Sequence, residues 1–89
     1  MMETAAVART HKAVTGEKLS ESYGPDLVQK WLDVMLADGW TFQLVIARDS
    51  IKGSAFNPKG AIFRYEDCDG DTAQHEVLAL LVAKAYGVA

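Results

Sequence analysis

Residues 26–48 read DLVQKWLDVMLADGWTFQLVIAR, a stretch that combines a helix signal, a glycine stop and a strand signal. Pro25, just before it, lacks the N–H that a first helical turn leaves unpaired, and Asp26 places negative charge at the positive end of the helix dipole. Gly39 follows Asp38 where the helix should end, because glycine adopts the left-handed conformation after a helix at low cost. The pattern predicts a helix from Pro25 to about Asp38.

The predicted helix has a wide apolar arc and a narrow polar side. Its apolar residues are Leu27, Val28, Trp31, Leu32, Val34, Met35 and Leu36. Such an arc is typical of a core helix, and it also suits a helix whose edge meets a partner. We expect this helix to lie across a sheet with Trp31 in the core. Leu32 and Leu36 are candidate interface residues, and so is Leu80 in the last helix.

After Gly39 the apolar period changes to two, which is typical of a strand. Large apolar residues alternate with smaller or polar ones, and we expect their face to meet the helix; they are Trp40, Phe42, Leu44 and Ile46. Residues 49–53 (DSIKG) have turn chemistry, and residues 54–56 then form a short second strand. The sequence NPKG at 57–60 is a strong turn signal, followed by a third strand at 61–66. Short turns between three runs predict an antiparallel meander.

The flanking segments predict two further helices. Residues 3–14 form one, with a weak stripe of Val7, Thr10, His11 and Val14. The other runs from about Thr72 to Tyr86, is capped by Asp71 or Thr72, and buries Val77, Leu78, Leu81, Val82 and Ala85. We expect its outer side to carry His75, Glu76, Ala79 and Ala83. The fold class is therefore α+β, a small three-stranded antiparallel sheet packed by helices in the order α-α-β-β-β-α. One domain spans 1–89: 25–87 is a compact core, and 1–24, a helix and a polar connector, is a candidate mobile segment.

Composition bounds the function classes. The 89 residues suffice for one modest core, and 49% hydrophobic with 24% charged residues is usual for a globular protein. No apolar run approaches the roughly 20 residues that span a membrane. The start, MMETAAVARTHKAV, has no apolar segment of signal-peptide type, and the single Cys68 cannot form an internal disulfide, so we expect a cytoplasmic location. A net charge of −3 argues against nucleic acid as a partner.

No metal or catalytic set can be named. The acidic run at 66–71 resembles the start of a calcium loop, but Thr72 stands where the loop needs glycine and Leu78 where it needs glutamate. Cys68, His11 and His75 lack metal-ligand spacing, and no nucleophile, base and orienting group can be assigned. We therefore expect no cofactor, no metal and no enzymatic activity.

Basic residues within the meander provide the one candidate ligand site. Lys52, Lys59 and Arg64 are placed to gather on one side of the sheet, where they suit a phosphate or an acidic protein surface. Tyr65 and Trp40 are aromatic candidates for the same site. Scattered surface charge is the competing interpretation, because most surface lysines bind nothing.

The order and spacing of several motifs resemble the phage ABA sandwich domain, a family of short proteins encoded in phages and prophages. The motifs are Tyr23 with Pro25-Asp26, residues 30–34 (KWLDV), residues 38–44 (DGWTFQL), residues 54–56 (SAF) and residues 70–73 (GDTA). The chain departs from the family pattern at Gly53, where members often have a tryptophan-rich second strand, and at Gln74, where proline is common. The resemblance implies α/β/α layering and a phage origin, and it transfers no catalytic residues.

Three functions are compatible with these expectations. The first is a small non-enzymatic phage-type protein that binds a host or phage protein, for example as an inhibitor of a host defence system. The second is an oligomeric sponge that sequesters a nucleotide-type signal at a subunit interface. The third is a structural phage accessory protein without a ligand. Homo-oligomers suit the first two, because a three-stranded sheet leaves edges that pair readily.

Replacing Trp31 with alanine is expected to lower the free energy of unfolding by about 3–5 kcal/mol, the usual cost of removing a buried aromatic ring. Chemical denaturation of the parent and the variant measures this loss. An unchanged midpoint would place Trp31 at the surface.

Overall fold

The computed structural model describes residues 2–68 and 72–88, which form three helices and three strands. The elements are α1 (Thr4–Thr15), α2 (Pro25–Ala37), β1 (Thr41–Ile46), β2 (Ile51–Phe56), β3 (Ile62–Asp67) and α3 (Gln74–Ala85). Both strand pairs are antiparallel and the sheet order is β1-β2-β3. The predicted α+β class and the order α-α-β-β-β-α are confirmed.

The first hairpin turns earlier than the sequence predicted. The N–H of Ala47 donates to the carbonyl of Ser50 at 2.8 Å, so residues 47–50 make the turn and β2 already begins at Ile51. The prediction of a turn at 49–53 is therefore wrong. The second turn is as predicted: Asn57 Oδ1 accepts from the N–H groups of Lys59 and Ala61.

Gly53 lies inside β2 because α3 approaches the sheet closely there. A Cβ at this position would be 3.0 Å from Leu81 Cδ2 and 3.7 Å from Val77 Cγ1. A Cβ there would require the end of the Leu81 side chain to shift by a few tenths of an ångström. A glycine inside a strand commonly marks such a close approach. The residue that suggested a turn is thus a packing residue.

The last helix, rather than α2, covers the sheet. α3 contacts β2 and β3 on one side and α1 and α2 on the other, so it lies between the sheet and the other two helices. It is consequently buried on both sides, and its fully buried residues are Val77, Ala79, Leu81, Val82 and Ala83. The expectation that α2 lies across the sheet is wrong. The outer side predicted for Glu76, Ala79 and Ala83 is wrong for the same reason, since α1 and α2 cover it.

Trp31 ties α2 to α1 in the interior. Its side chain is fully buried, and its Nε1–H donates to His11 Nδ1 at 3.0 Å. Because Nδ1 accepts this bond, it carries a lone pair rather than a proton. The stripe predicted for α1 is confirmed, since its buried residues are Val7, Thr10, His11 and Val14. The predicted core position of Trp31 is confirmed: it belongs to a cluster of buried side chains from all three helices.

The helix boundaries follow the sequence signals with one exception. Pro25 is the first residue of α2, and Gly39 has the left-handed φ of 93° expected after the helix. α3 instead starts at Gln74 after Ala73, without a side-chain cap, so the cap predicted at Thr72 is wrong. The alternative cap, Asp71, lies outside the described residues.

Because all three helices lie on one side, the opposite face of the sheet is uncovered by the described residues. We call it the open face; its side chains are those of Thr41, Gln43, Val45, Lys52, Ser54, Phe56, Ile62, Arg64 and Glu66. The implied α/β/α layering is therefore wrong, and the order of layers is sheet, α3, then α1 with α2. On the helix side, Phe42 and Leu44 are half-buried and Ile46 is exposed. Within residues 2–68 and 72–88, none of the helices has the length and apolar character needed to cross a bilayer.

Substituting valine for Gly53 is expected to destabilise the fold by about 1–3 kcal/mol, because its branched side chain must displace Leu81 in a filled core. Urea denaturation of Gly53→Val, Leu81→Ala and the double variant measures the coupling. The double variant should lose less stability than the sum of the single losses, since the shortened residue 81 makes room. Strictly additive losses would contradict the close approach.

Candidate functional site

The open face mixes apolar and polar side chains in cross-strand pairs. Ser54 pairs with Arg64, and Phe56 pairs with Ile62. Val45 and Ile62 are large apolar residues with 49% and 48% of their surface exposed. Isolated exposed apolar residues are ordinary, but here they share one uncovered sheet face with hydrogen-bonding groups. The open face is therefore a candidate binding surface.

A shallow depression of about 320 Å³ lies near the middle of this face. Its lining comprises Val45, Lys52, Gly53, Ser54, Arg64, Tyr65 and Glu66. Strand alternation directs the side chain of Tyr65 toward α3, and Gly53 has no side chain. These two residues therefore line the bottom of the depression with backbone atoms. The walls are therefore formed by the side chains of the other five residues.

Arg64 is the open-face cation that the described residues leave without a countercharge. Lys52 Nζ lies 3.7 Å from Glu66 Oε2, an exposed pair that contributes little to stability. Within the described parts of the chain, no carboxylate pairs with the Arg64 guanidinium. A guanidinium offers a planar fork of donors that matches carboxylate or phosphate oxygens. Arg64 is thus the residue of this face best suited to an anionic group of a partner.

The five candidate ligand residues do not converge on one site. Lys52, Arg64 and Tyr65 share the depression, Tyr65 through its backbone. Lys59 lies in the exposed turn between β2 and β3. Trp40 packs on the helix side, where its ring centroid is 5.9 Å from those of Tyr86 and of Phe63. Lys52 and Arg64 were grouped because both fall within the meander. Alternation along residues 40–46 had also placed Trp40 on the face expected to meet a helix, and Trp40 packs there rather than in the ligand site.

The three candidate interface leucines also differ in how far they are exposed. Leu36 has 49% of its surface exposed, whereas Leu32 and Leu80 are half-buried and pack against the core. Leu32 also lines a second depression, of about 420 Å³, between the N-terminal parts of α2 and α3. The remaining lining residues there are Pro25, Val28, Gln29, Gln74, His75 and Leu78.

A buried carboxylate, not expected from the sequence, joins three distant segments. Glu76 Oε1 accepts from the backbone N–H of Met2 at 2.6 Å, and Oε2 accepts from the Tyr23 hydroxyl at 2.7 Å. Glu76 is only 8% exposed. These bonds fasten the N-terminal segment and the polar connector to α3. The one sequence signal for this tie was the aromatic residue Tyr23 in an otherwise polar connector.

Two tyrosines are expected to titrate above their ordinary range. Burial raises the pKa of Tyr23, and the hydrogen bond to Glu76 and the negative charge of that carboxylate raise it further. Burial also raises the pKa of Tyr86, with a smaller contribution from the charge of Asp38.

The candidate metal and nucleophile residues have unrelated surroundings. Cys68 is exposed, with Sγ 3.8 Å from Glu66 Oε2. His11 contacts Trp31, whereas the ring of His75 packs 5.9 Å from that of Tyr23. In residues 2–68 and 72–88, no group of three or more His, Cys, Asp or Glu side chains is placed to hold a metal ion. The acidic run considered for calcium extends to Asp69 and Asp71, which lie outside these ranges.

Comparisons of the chain with protein-family models, with curated proteins and with solved structures found no match.

Replacing Tyr23 with phenylalanine is expected to lower the free energy of unfolding by about 1 kcal/mol at neutral pH, because Glu76 loses a hydrogen-bond donor. A raised folded-state pKa gives stability that is complete below the unfolded-state pKa of about 10 and is lost as pH rises further. The parent should therefore lose stability above about pH 10, and the variant should lose less of it over the same interval. Urea denaturation at neutral and alkaline pH measures both effects, with Tyr65→Phe as the control. Identical alkaline losses in parent and Tyr23→Phe would contradict the tie to Glu76.

Proposed function

We propose that this chain is a non-enzymatic binding protein that engages another protein through the open face of its sheet. The observation that carries the proposal is that all three helices lie on one side of a three-stranded sheet, which leaves the other face uncovered. That face combines half-exposed Val45 and Ile62 with hydroxyl, amide and charged groups. Protein interfaces likewise combine apolar contact area with polar groups that fix orientation.

The charge of the face favours a partner with exposed carboxylates. The open face carries Lys52, Arg64 and Glu66, and is thus locally positive in a chain whose net charge is −3. Because Lys52 is adjacent to Glu66, Arg64 is the principal cation available to a partner. A carboxylate can receive two parallel hydrogen bonds from a guanidinium, which fixes orientation as well as adding affinity.

The biological setting that we propose follows from the sequence resemblance alone. Similarity of the motifs between Tyr23 and Ala73 to the phage ABA sandwich domain supports a phage or prophage origin and action in the host cell cytoplasm. We propose a host protein as the partner, with inhibition of a host defence system as the effect. A structural accessory role in the phage is the competing proposal for the same surface.

A second candidate function, sequestration of a nucleotide-type signal, is favoured by the depression on the same face. Lys52 and Arg64 both line it beside the Ser54 hydroxyl, and these groups suit a phosphate. The base would need an aromatic platform, but Trp40 packs on the opposite side of the sheet, and Phe56 of the open face does not line the depression. A protein partner therefore accounts for more of the open face than a nucleotide does.

Affinity capture with matched variants tests the proposal. Arg64→Glu and Ile62→Asp change the open face at exposed side chains, and Lys59→Glu makes a similar charge change in the turn outside the depression. The parent and Lys59→Glu should retain a common host protein that both face variants lose. With that protein purified, Arg64→Glu should weaken binding at least tenfold, a loss of about 1.4 kcal/mol.

Two outcomes would overturn the protein-binding proposal. One is recovery of the same proteins by the parent and all three variants. The other is release of a nucleotide from the unheated parent on denaturation, with the nucleotide absent from Arg64→Glu, which would establish sequestration instead. Melting curves for each variant test whether the fold is retained, as expected for substitutions of exposed side chains.

A further inference from the structure

The hydrogen bonds of the first turn show which backbone groups of β1 point away from the sheet. Ala47 and Ser50 form a hydrogen-bonded pair at the turn. In an antiparallel ladder the hydrogen-bonded pairs occur at every second residue, so the next two pairs are Val45 with Lys52 and Gln43 with Ser54. The intervening residues of β1 direct their N–H and C=O groups outward. These residues are Phe42, Leu44 and Ile46.

The opposite edge of the sheet is obstructed. The bond from the Asn57 N–H to the Ala61 carbonyl sets the ladder between β2 and β3, so the outward-facing residues of β3 are Ile62, Arg64 and Glu66. The Arg64 carbonyl accepts from Lys84 Nζ at 2.7 Å. A lysine across an edge strand is a common protection against pairing with another chain.

The described residues give β1 no such protection. Its sequence, TFQLVI, contains no charge, proline or glycine, and all but one of its residues favour strands or are apolar. Within residues 2–68 and 72–88, no side chain bonds to the outward backbone groups of Phe42, Leu44 or Ile46. α3 lies over β2 and β3 rather than over β1, and Ile46 keeps 57% of its surface exposed.

We propose that two copies of this chain pair β1 with β1 in antiparallel fashion about a two-fold axis, which creates a continuous six-stranded sheet. The register places Leu44 opposite Leu44 of the second copy and Phe42 opposite Ile46 of the second copy. This register satisfies all the outward N–H and C=O groups of the three residues at once. It also matches apolar side chains on the helix side of the sheet, which covers Ile46.

A second copy fits this edge better than a charged partner strand does. A two-fold axis pairs two identical strands, so a β1 with a net charge would lie beside a strand of the same charge. β1 carries none, although the whole chain has a net charge of −3. The pairing does not depend on the proposed function, because the open faces of both copies remain accessible and become neighbours.

Two proline substitutions at equivalent sites test the pairing. Ile46→Pro removes an outward N–H from the β1 edge, and Ile62→Pro removes one from the β3 edge. Neither N–H bonds within the sheet, both side chains are exposed, and proline is tolerated at such edge positions. Sedimentation equilibrium should give twice the 9.7 kDa chain mass for the parent and for Ile62→Pro. Ile46→Pro should sediment at the mass of one chain.

Amide hydrogen exchange reads the hydrogen bonds directly. In the parent at high concentration, the N–H groups of Phe42, Leu44 and Ile46 should be protected, and dilution should remove that protection. Gln43 and Val45 should stay protected at every concentration, because their amides bond to β2. The pair Ile46→Lys and Ile62→Lys repeats the mass measurement without proline, and only the change in β1 should give single chains.

The pairing is overturned if the parent sediments as a single chain at all concentrations. That result would overturn it even if the β1 edge were found to bind a different protein. It is also overturned if Ile62→Pro alone disrupts the dimer, or if the protection of residues 42, 44 and 46 is independent of concentration. Melting curves of the variants separate loss of pairing from loss of fold.

Discussion

The close approach of α3 to the sheet at Gly53 is the constraint on which the rest of the structure depends. With no side chain at this position, Leu81 and Val77 can lie directly on β2. A helix seated that low on the sheet still has a second apolar side, formed by Ala79, Val82 and Ala83. Covering that side requires α1 and α2, which explains why the two N-terminal helices pack on a helix rather than on the sheet.

This arrangement also produces the surface for which we propose a function. The described residues form three helices, and all three lie on one side of the sheet. The other face must therefore meet solvent or a partner, and its side chains suit both: Thr41, Gln43, Ser54 and the charged pair are hydrated readily, while Val45 and Ile62 gain from being covered. The depression and the cation Arg64 lie on that face for the same reason.

The sequence specified the elements better than their arrangement. Local signals such as Pro25, Gly39 and the turn at Asn57 depend on neighbouring residues, and the structure agrees with them. Periodicity shows that a helix has an apolar face, but it does not say which element covers that face. For this reason periodicity predicted that α2 lies on the sheet and that Glu76 lies on the outside. Glu76 is instead buried, and it accepts a hydrogen bond from Tyr23, 53 residues away in the sequence. Similarly, alternation placed Trp40 on the helix side of the sheet, but its ring partners there, Tyr86 and Phe63, depend on tertiary contacts.

The contact between Lys84 and the Arg64 carbonyl limits the size of the assembly that this sheet can form. A sheet with two unprotected edge strands can add further chains at both edges, as the strands of a fibril do. Here the ammonium group of Lys84 in α3 occupies a backbone carbonyl of the edge strand β3. A dimer joined through β1 would have a protected β3 strand at both ends of its sheet. The two-fold assembly would therefore be closed and would add no further copies.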